Sequence, residues 1–142
     1  MTTQFFDRPT VPEPMETTDD RYRIDVNVKS TYVVEHSSPD NGKYVFAYTV
    51  TIRNTGEVAA RLRTRHWIIT DANARVQEVR GDGVVGEQPH LAPGEAFQYT
   101  SAAIIETPVG SMYGSYQMVA DDGHRFDAPI PAFSLSVPNV VH

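Results

Sequence analysis

Residues 44–52 read Tyr-Val-Phe-Ala-Tyr-Thr-Val-Thr-Ile, so Tyr44, Phe46, Tyr48, Val50 and Ile52 recur at every second position. An extended chain sends successive side chains to opposite faces, so such a row can be buried together only in a strand. Residues 22–28 repeat the pattern, with Tyr22, Ile24, Val26 and Val28 apolar and Arg23, Asp25 and Asn27 polar between them. No window of helical length carries apolar residues at i, i+3, i+4 and i+7. The chain is therefore expected to be all-β.

Turn residues cut the remainder into short extended runs. Residues 32–34 are read as a continuation of the first strand through a bulge. Ser37-Ser38-Pro39-Asp40-Asn41-Gly42 is a turn, with Asn41-Gly42 supplying positive φ. Arg53-Asn54-Thr55-Gly56 ends the second strand, residues 58–70 form a third, and Asp71-Ala72-Asn73-Ala74 turns it into residues 75–80. A glycine-rich loop spans residues 81–90, followed by the turn Leu91-Ala92-Pro93-Gly94. Residues 96–105, 111–120 and 125–137 are further strands, separated by Thr107-Pro108-Val109-Gly110 and the hairpin Asp121-Asp122-Gly123. Pro129 and Pro131 cannot donate to a ladder, which keeps part of the last strand at an edge. Seven or more short strands with frequent turns predict an antiparallel β-sandwich of the immunoglobulin or fibronectin-type-III kind.

A chain of 142 residues suits one domain able to bury a core without staples. Residues 1–20, with Pro9, Pro12 and Pro14 and little apolar surface, are read as a flexible lead-in, and residues 21–142 as the domain. The spacing of Pro9 and Pro12 matches a polyproline ligand, but a stiff solvated tail is the preferred reading. The sequence contains no cysteine, which removes thiol nucleophiles, disulfides and cysteine-ligated metals and fits a reducing cytoplasm. MTTQFFDRPTVPEP lacks the basic-then-apolar order of a signal peptide, and no apolar run is long enough to span a bilayer. A net charge of -6 argues against general nucleic-acid binding.

Gly81, Gly83 and Gly86 spell the G-x-G-x-x-G of dinucleotide-binding turns. That motif works between a buried parallel strand and a helix whose N-terminus holds the pyrophosphate. Here the preceding residues 75–79 are polar and alternating, and Pro89 and Pro93 leave no room for a helix. A structural loop with glycines chosen for positive φ and close backbone approach is expected instead, with an anion-binding nest of backbone N–H groups as the alternative. Arg80-Gly81-Asp82 matches the adhesion tripeptide by chance.

Residues 61–67 read Arg-Leu-Arg-Thr-Arg-His-Trp. Strict alternation puts Arg61, Arg63 and Arg65 on one face, able to grip a phosphate, a carboxylate or an acidic segment. The plainer reading is a solvated face whose charges pair with Asp and Glu on neighbouring strands. Trp67 falls beside Arg65 on that face, or into the core if a bulge lies near His66; the core is preferred, since a tryptophan on the third strand anchors immunoglobulin-like sandwiches.

No catalytic constellation is legible. His36, His66, His90, His124 and His142 lack metal-ligand spacing, and Asp121-Asp122-Gly123-His124 reads as a hairpin rather than a calcium loop. Ser101, Ser111 and Ser115 lie in no nucleophile elbow. Neither an enzymatic activity, a metal site nor a cofactor is expected.

Four blocks carry a resemblance. They are Arg65-His66-Trp67-Ile68-Ile69-Thr70-Asp71-Ala72-Asn73, the run from Val79 to Pro89, Leu91-Ala92-Pro93-Gly94-Glu95 with Tyr99-Thr100-Ser101, and the run from Glu106 to Met118. In this order they resemble the ApaG family, a CorD-like group, over about residues 21–138. The resemblance implies a fibronectin-type-III-like sandwich, no established catalytic activity and a link to cobalt resistance and to magnesium or cobalt transport. Similar domains in eukaryotic F-box proteins and in a polymerase-delta-interacting protein look like protein-interaction modules. The glycine triplet carries over as Gly81, Gly83 and Gly86 as a family habit.

The leading expectation is thus a non-enzymatic binding module, monomer or homodimer, taking a protein partner or a small anion and inserting in no membrane. Its candidate binding residues are Arg61, Arg63, Arg65, Trp67, Arg80, Gly81, Gly83 and Gly86. Two alternatives stand beside it: phosphate or nucleotide binding at residues 80–89 with the nearby arginines, and a direct divalent-metal-binding accessory.

Overall fold

The computed structural model describes residues 19–138. The expected lead-in therefore lies outside the described residues except for Asp19 and Asp20, where the Asp19 carboxylate pairs with Arg21 at 2.8 Å. The chain runs through eight strands and no α-helix among the described residues: β1 (Ile24–Tyr32), β2 (Tyr44–Asn54), β3 (Ala60–Asp71), β4 (Val76–Asp82), β5 (His90–Leu91), β6 (Ala96–Ile105), β7 (Val109–Ala120) and β8 (Arg125–Ser136).

All pairings are antiparallel and form two stacked sheets. One sheet has the order β1-β2-β6; the other has the order β4-β3-β7-β8, with β5 pairing to one end of β3. This is the expected sandwich. The alternation of β2 is realised as written, with Phe46, Tyr48, Val50 and Ile52 buried in the space between the sheets. Opposite them lie Leu62, Trp67, Met112, Tyr116, Met118, Ile130 and Leu135. Such a dry, two-sided filling is the main source of stability in a sandwich.

Local chemistry places the boundaries. The buried Asn54 donates to Val58 O and Leu91 O and accepts from Gly56 N, tying the β2–β3 turn to β5. Asp71 accepts from the N–H groups of Asn73 and Arg75, which closes the β3–β4 hairpin around Ala74 at φ 65. β8 lies at a sheet edge, as Pro129 and Pro131 require.

Several details differ from the sequence reading: β7 begins at Val109, inside the expected break, and Leu91 joins the short strand β5 instead of a turn. Residues 34–36 form a 3-10 turn instead of extending β1. In the Asn41-Gly42 turn the positive φ is carried by Gly42 alone. β4 runs two residues into the expected glycine loop and ends at Asp82. Gly81 can join the ladder there because it presents no side chain to Arg65, its cross-strand neighbour.

Candidate functional site

The arginine row does not share one face. The β3–β7 register shifts between Leu62 and Thr64, a bulge that inserts one extra residue at Arg63. Before it Ala60 and Leu62 point inward; after it Trp67, Ile69 and Asp71 do. Arg61 stays outside, Arg63 sits on the bulge, and Arg65 turns toward the interior edge. The same slip carries Trp67 into the core, 2 % exposed, as preferred from the sequence but with the bulge three residues earlier than His66.

Arg65 holds the glycine segment together. Its Nη1 donates to the carbonyls of Asp82 and Gly83, both at 2.9 Å. A Cβ on Gly81 would stand 2.8 Å from the Arg65 guanidinium, so glycine is what lets that group lie flat against β4. Gly83 adopts φ 61 and donates to Arg63 O. Val84, fully buried, and Glu87 exchange both backbone hydrogen bonds around a tight turn. Val85 at φ 43 and Gly86 at φ 82 form its tip, the two positive φ angles of a type I′ turn. Arg61 Nη1 donates to Gln88 O at 2.6 Å, and Gln88 Nε2 to Arg63 O at 2.9 Å. The segment is a packed hairpin pinned by two arginines; the N–H groups of Val84 and Glu87 are taken by its own carbonyls and that of Gly83 by Arg63 O on β3.

This geometry separates two glycine substitutions. Gly83→Ala incurs the left-handed penalty of about 1–2 kcal/mol and also drives its Cβ into the Glu87 carbonyl, for a total of about 2–4 kcal/mol. Gly86→Ala meets no atom within 4 Å and bears only the first penalty. Urea midpoints of the two variants should fall in that order; equal midpoints would mean the hairpin is looser than described.

The remaining candidates divide over three neighbouring surface depressions. One of about 430 Å³ is bordered by Arg61, Gly83 and Gly86. A second, of about 330 Å³, is bordered by Arg65, Arg80 and Gly81. The third, of about 470 Å³, is bordered by Arg63 and by Arg125, with Phe126 and Asp127 beside them. Thr64 and Gln117 border both the second and the third, joined by a Thr64 Oγ1 to Gln117 Oε1 hydrogen bond of 2.8 Å. Trp67 borders none of the three.

The arginines differ most in what already holds them. Arg80 pairs with Glu78 at 2.9 Å, and Glu78 also meets His66 Nε2 at 2.5 Å on the outer face of the sheet. The His66 hydrogen bond, helped by the Arg80 charge, holds the Glu78 carboxyl below its usual range. Arg61 and Arg65 are bound to backbone carbonyls. Arg63 and Arg125 have no side-chain hydrogen bond or ion pair among the described residues, and both face the same depression. A guanidinium left without a carboxylate can receive one from outside, bidentately.

Arg125 was not among the residues singled out from the sequence. It follows a hairpin turn and precedes Phe126, and nothing local relates it to Arg63. The link is the register across three strands: Leu62 and Thr64, on either side of the bulged Arg63, pair with Met118 and Gln117, and these pair with Phe126 and Asp127, next to Arg125.

The histidines are dispersed. His90 pairs with Asp121 at 2.9 Å, and His124 stacks on Tyr22 with centroids 4.0 Å apart. Among the described residues no group of three His, Asp or Glu is gathered as a metal site would need. No helix among them is long and apolar enough to cross a membrane.

Known proteins align with this arrangement along most of its length. The ApaG domain family matches residues 34–120. Protein ApaG of Azoarcus sp. strain BH72 is 64 % identical over 121 residues, covering 85 % of this chain and 95 % of the relative. Protein ApaG of Methylococcus capsulatus is 63 % identical over 121 residues, covering 85 % of this chain and 96 % of the relative. The crystal structure of an ApaA protein from Bordetella pertussis superposes with a TM-score of 0.83 at 52 % identity, covering 85 % of this chain and 98 % of that one. With a family match across residues 34–120 and such identity over nearly the full length of its relatives, the chain belongs to the ApaG family.

Proposed function

We propose that this chain is a non-enzymatic binding module that takes an acidic segment of a partner protein at the depression between Arg63 and Arg125. The observation that carries the reading is the contrast in charge pairing. Arg80, Arg61 and Arg65 are satisfied within the fold, while Arg63 and Arg125 face one depression with no acceptor among the described residues. Phe126 beside them offers an apolar contact for the stem of a glutamate. Asp127 on the same rim disfavours a densely charged phosphate and tolerates a chain that alternates carboxylates with neutral residues. In this reading the glycine hairpin is a support for β3 rather than a phosphate cradle, and the family's link to cobalt and magnesium acts through the partner.

Anisotropy titration with a labelled glutamate-rich peptide tests it. Arg63→Ala and Arg125→Ala should each weaken binding about tenfold or more, since a hydrogen bond to a charged group contributes about 1.5–3 kcal/mol. Arg61→Ala, whose guanidinium is already held by Gln88 O, should bind within about twofold of the parent chain. Tighter binding of inorganic phosphate than of the peptide would replace this reading with the small-anion one. No binding of either would end both.

A further inference from the structure

The two sheets are unequal in width: three strands face a path of four. Among the described residues, no strand lies beyond β6, on the side away from β2, over β4. β4 shows this directly, with six of its seven residues exposed and only Gly81 half-buried. Its sandwich-side residue Val79, paired with the buried Trp67, is itself 37 % exposed. A large apolar side chain on the inner face of a sandwich is left in water only where the opposite layer stops short.

The edge of β6 is prepared for pairing. Val45 O accepts from Val33 N on the far side of β2, so Val45 turns its backbone away from β6. Ile104, its partner in the ladder, turns outward too, and its carbonyl accepts from Gln77 Nε2 of β4. By the two-residue period of a strand, the N–H and C=O groups of Ala102, Thr100 and Gln98 also point outward. Other edges in the fold carry the usual protections against adding a strand. β1 has Asp25 and Lys29, β4 has Glu78, Arg80 and Asp82, and β8 has Pro129, Pro131 and a register shift. From Ala96 to Ile105, β6 has no charge, no proline and ten consecutive pairs with β2 without a bulge.

We infer that β6 is a docking edge for one extended, uncharged segment of a partner protein, which adds as the missing fourth strand over β4. Its backbone pairs with Gln98, Thr100 and Ala102. Its alternate side chains, small or apolar, cover Val79. A second copy of this chain does not fit: strands lie about 4.8 Å apart, so antiparallel β6–β6 pairing about a two-fold axis drives the overhanging β4 of each copy into the wider sheet of the other. The net charge of -6 opposes self-association as well. The chain's own residues 1–18 join at Asp19, next to β1 on the opposite edge. The inference is independent of the Arg63–Arg125 depression and survives if that reading fails.

The test is amide NMR on the ¹⁵N-labelled full chain, with a short peptide of alternating threonine and valine as probe. Expected are shifts confined to Gln98, Thr100, Ala102, Ile104 and Val79, and amide exchange at Gln98, Thr100 and Ala102 slowed about tenfold or more on saturation. Thr100→Pro should abolish binding and still fold, because the Thr100 N–H is outside the β2–β6 ladder. Val79→Glu, which leaves β6 untouched, should weaken the same binding at least about tenfold. The inference is overturned by shifts elsewhere, by no binding, or by undiminished binding to both variants. It is equally overturned if those three amides are already protected without peptide, whether by residues 1–18 or by a second copy detected as doubled mass.

Discussion

Trp67→Ala is expected to remove about 3–5 kcal/mol of folding stability, the range for deleting a large aromatic from a packed core. Trp67 is 2 % exposed and sits at the centre of the aromatic cluster. Tyr48 meets it at 5.3 Å, Phe133 at 6.0 Å and Tyr116 at 6.3 Å between ring centroids, all edge-on. Those rings come from β2, β8 and β7, so the indole bridges both sheets. The loss corresponds to a fall in melting temperature of roughly 6–20 °C for a domain of this size. Trp67→Phe should cost far less than its lost volume suggests. The buried indole Nε1 makes no well-formed hydrogen bond among the described residues and only a weak approach to the Tyr99 hydroxyl, so removing it removes a poorly satisfied donor. Calorimetry of the two variants checks both statements; an alanine variant melting within about 2 °C of the parent would remove Trp67 from the centre of the core.

Alkali is expected to unfold the chain from about pH 10 upward, through tyrosines rather than lysines. Tyr99 of β6 and Tyr116 of β7 join across the core by a hydrogen bond of 2.5 Å between their hydroxyls. Burial pushes the Tyr99 phenol up to about 12, and pushes Tyr116 higher still, with the neighbouring Tyr99 adding to the effect. Tyr48 shifts the same way, again mainly by desolvation. A phenol whose pKa is raised by folding keeps its proton in the folded chain and loses it in the unfolded one. Its contribution is fully present below about pH 10 and is lost as pH rises toward the folded value. Each such phenol removes about 1.4 kcal/mol per pH unit in that window, so Tyr99 and Tyr116 together account for about 5 kcal/mol by pH 12. Stability from urea unfolding should hold nearly level from about pH 8 to 9 and then fall with that slope from about pH 10 to 12. Tyr116→Phe should be less stable at neutral pH by about 1–3 kcal/mol, having orphaned the Tyr99 hydroxyl, yet show a shallower alkaline decline. Ionisation of Tyr99 or Tyr116, followed by their own ring NMR signals, before the loss of β-sheet signal would contradict the account.

The strands were legible because their signals are local. Tyr44 to Ile52 alternates without interruption, residues 96–105 were delimited to the residue, and Asp121-Asp122-Gly123 forms the expected hairpin between β7 and β8. The glycine triplet was legible as something other than a helix-opening turn. That Arg65 rests on Gly81 was not, because the contact depends on the pairing of residues sixteen apart.

The arginines mark the boundary. Leu62-Arg63-Thr64 contains no glycine or proline to announce a bulge, and one extra residue reverses every side chain after it. That slip hid Arg65, buried Trp67 and left Arg63 facing Arg125. The sequence by itself determined the all-β class and the places where the chain turns, since alternation and turn chemistry act between neighbours. Only the tertiary structure decided which arginines are spent on the fold, which are left open, and which edge lacks a strand. Register and layer width are set by hydrogen bonds and packing between segments far apart in the chain, and no local pattern encodes them.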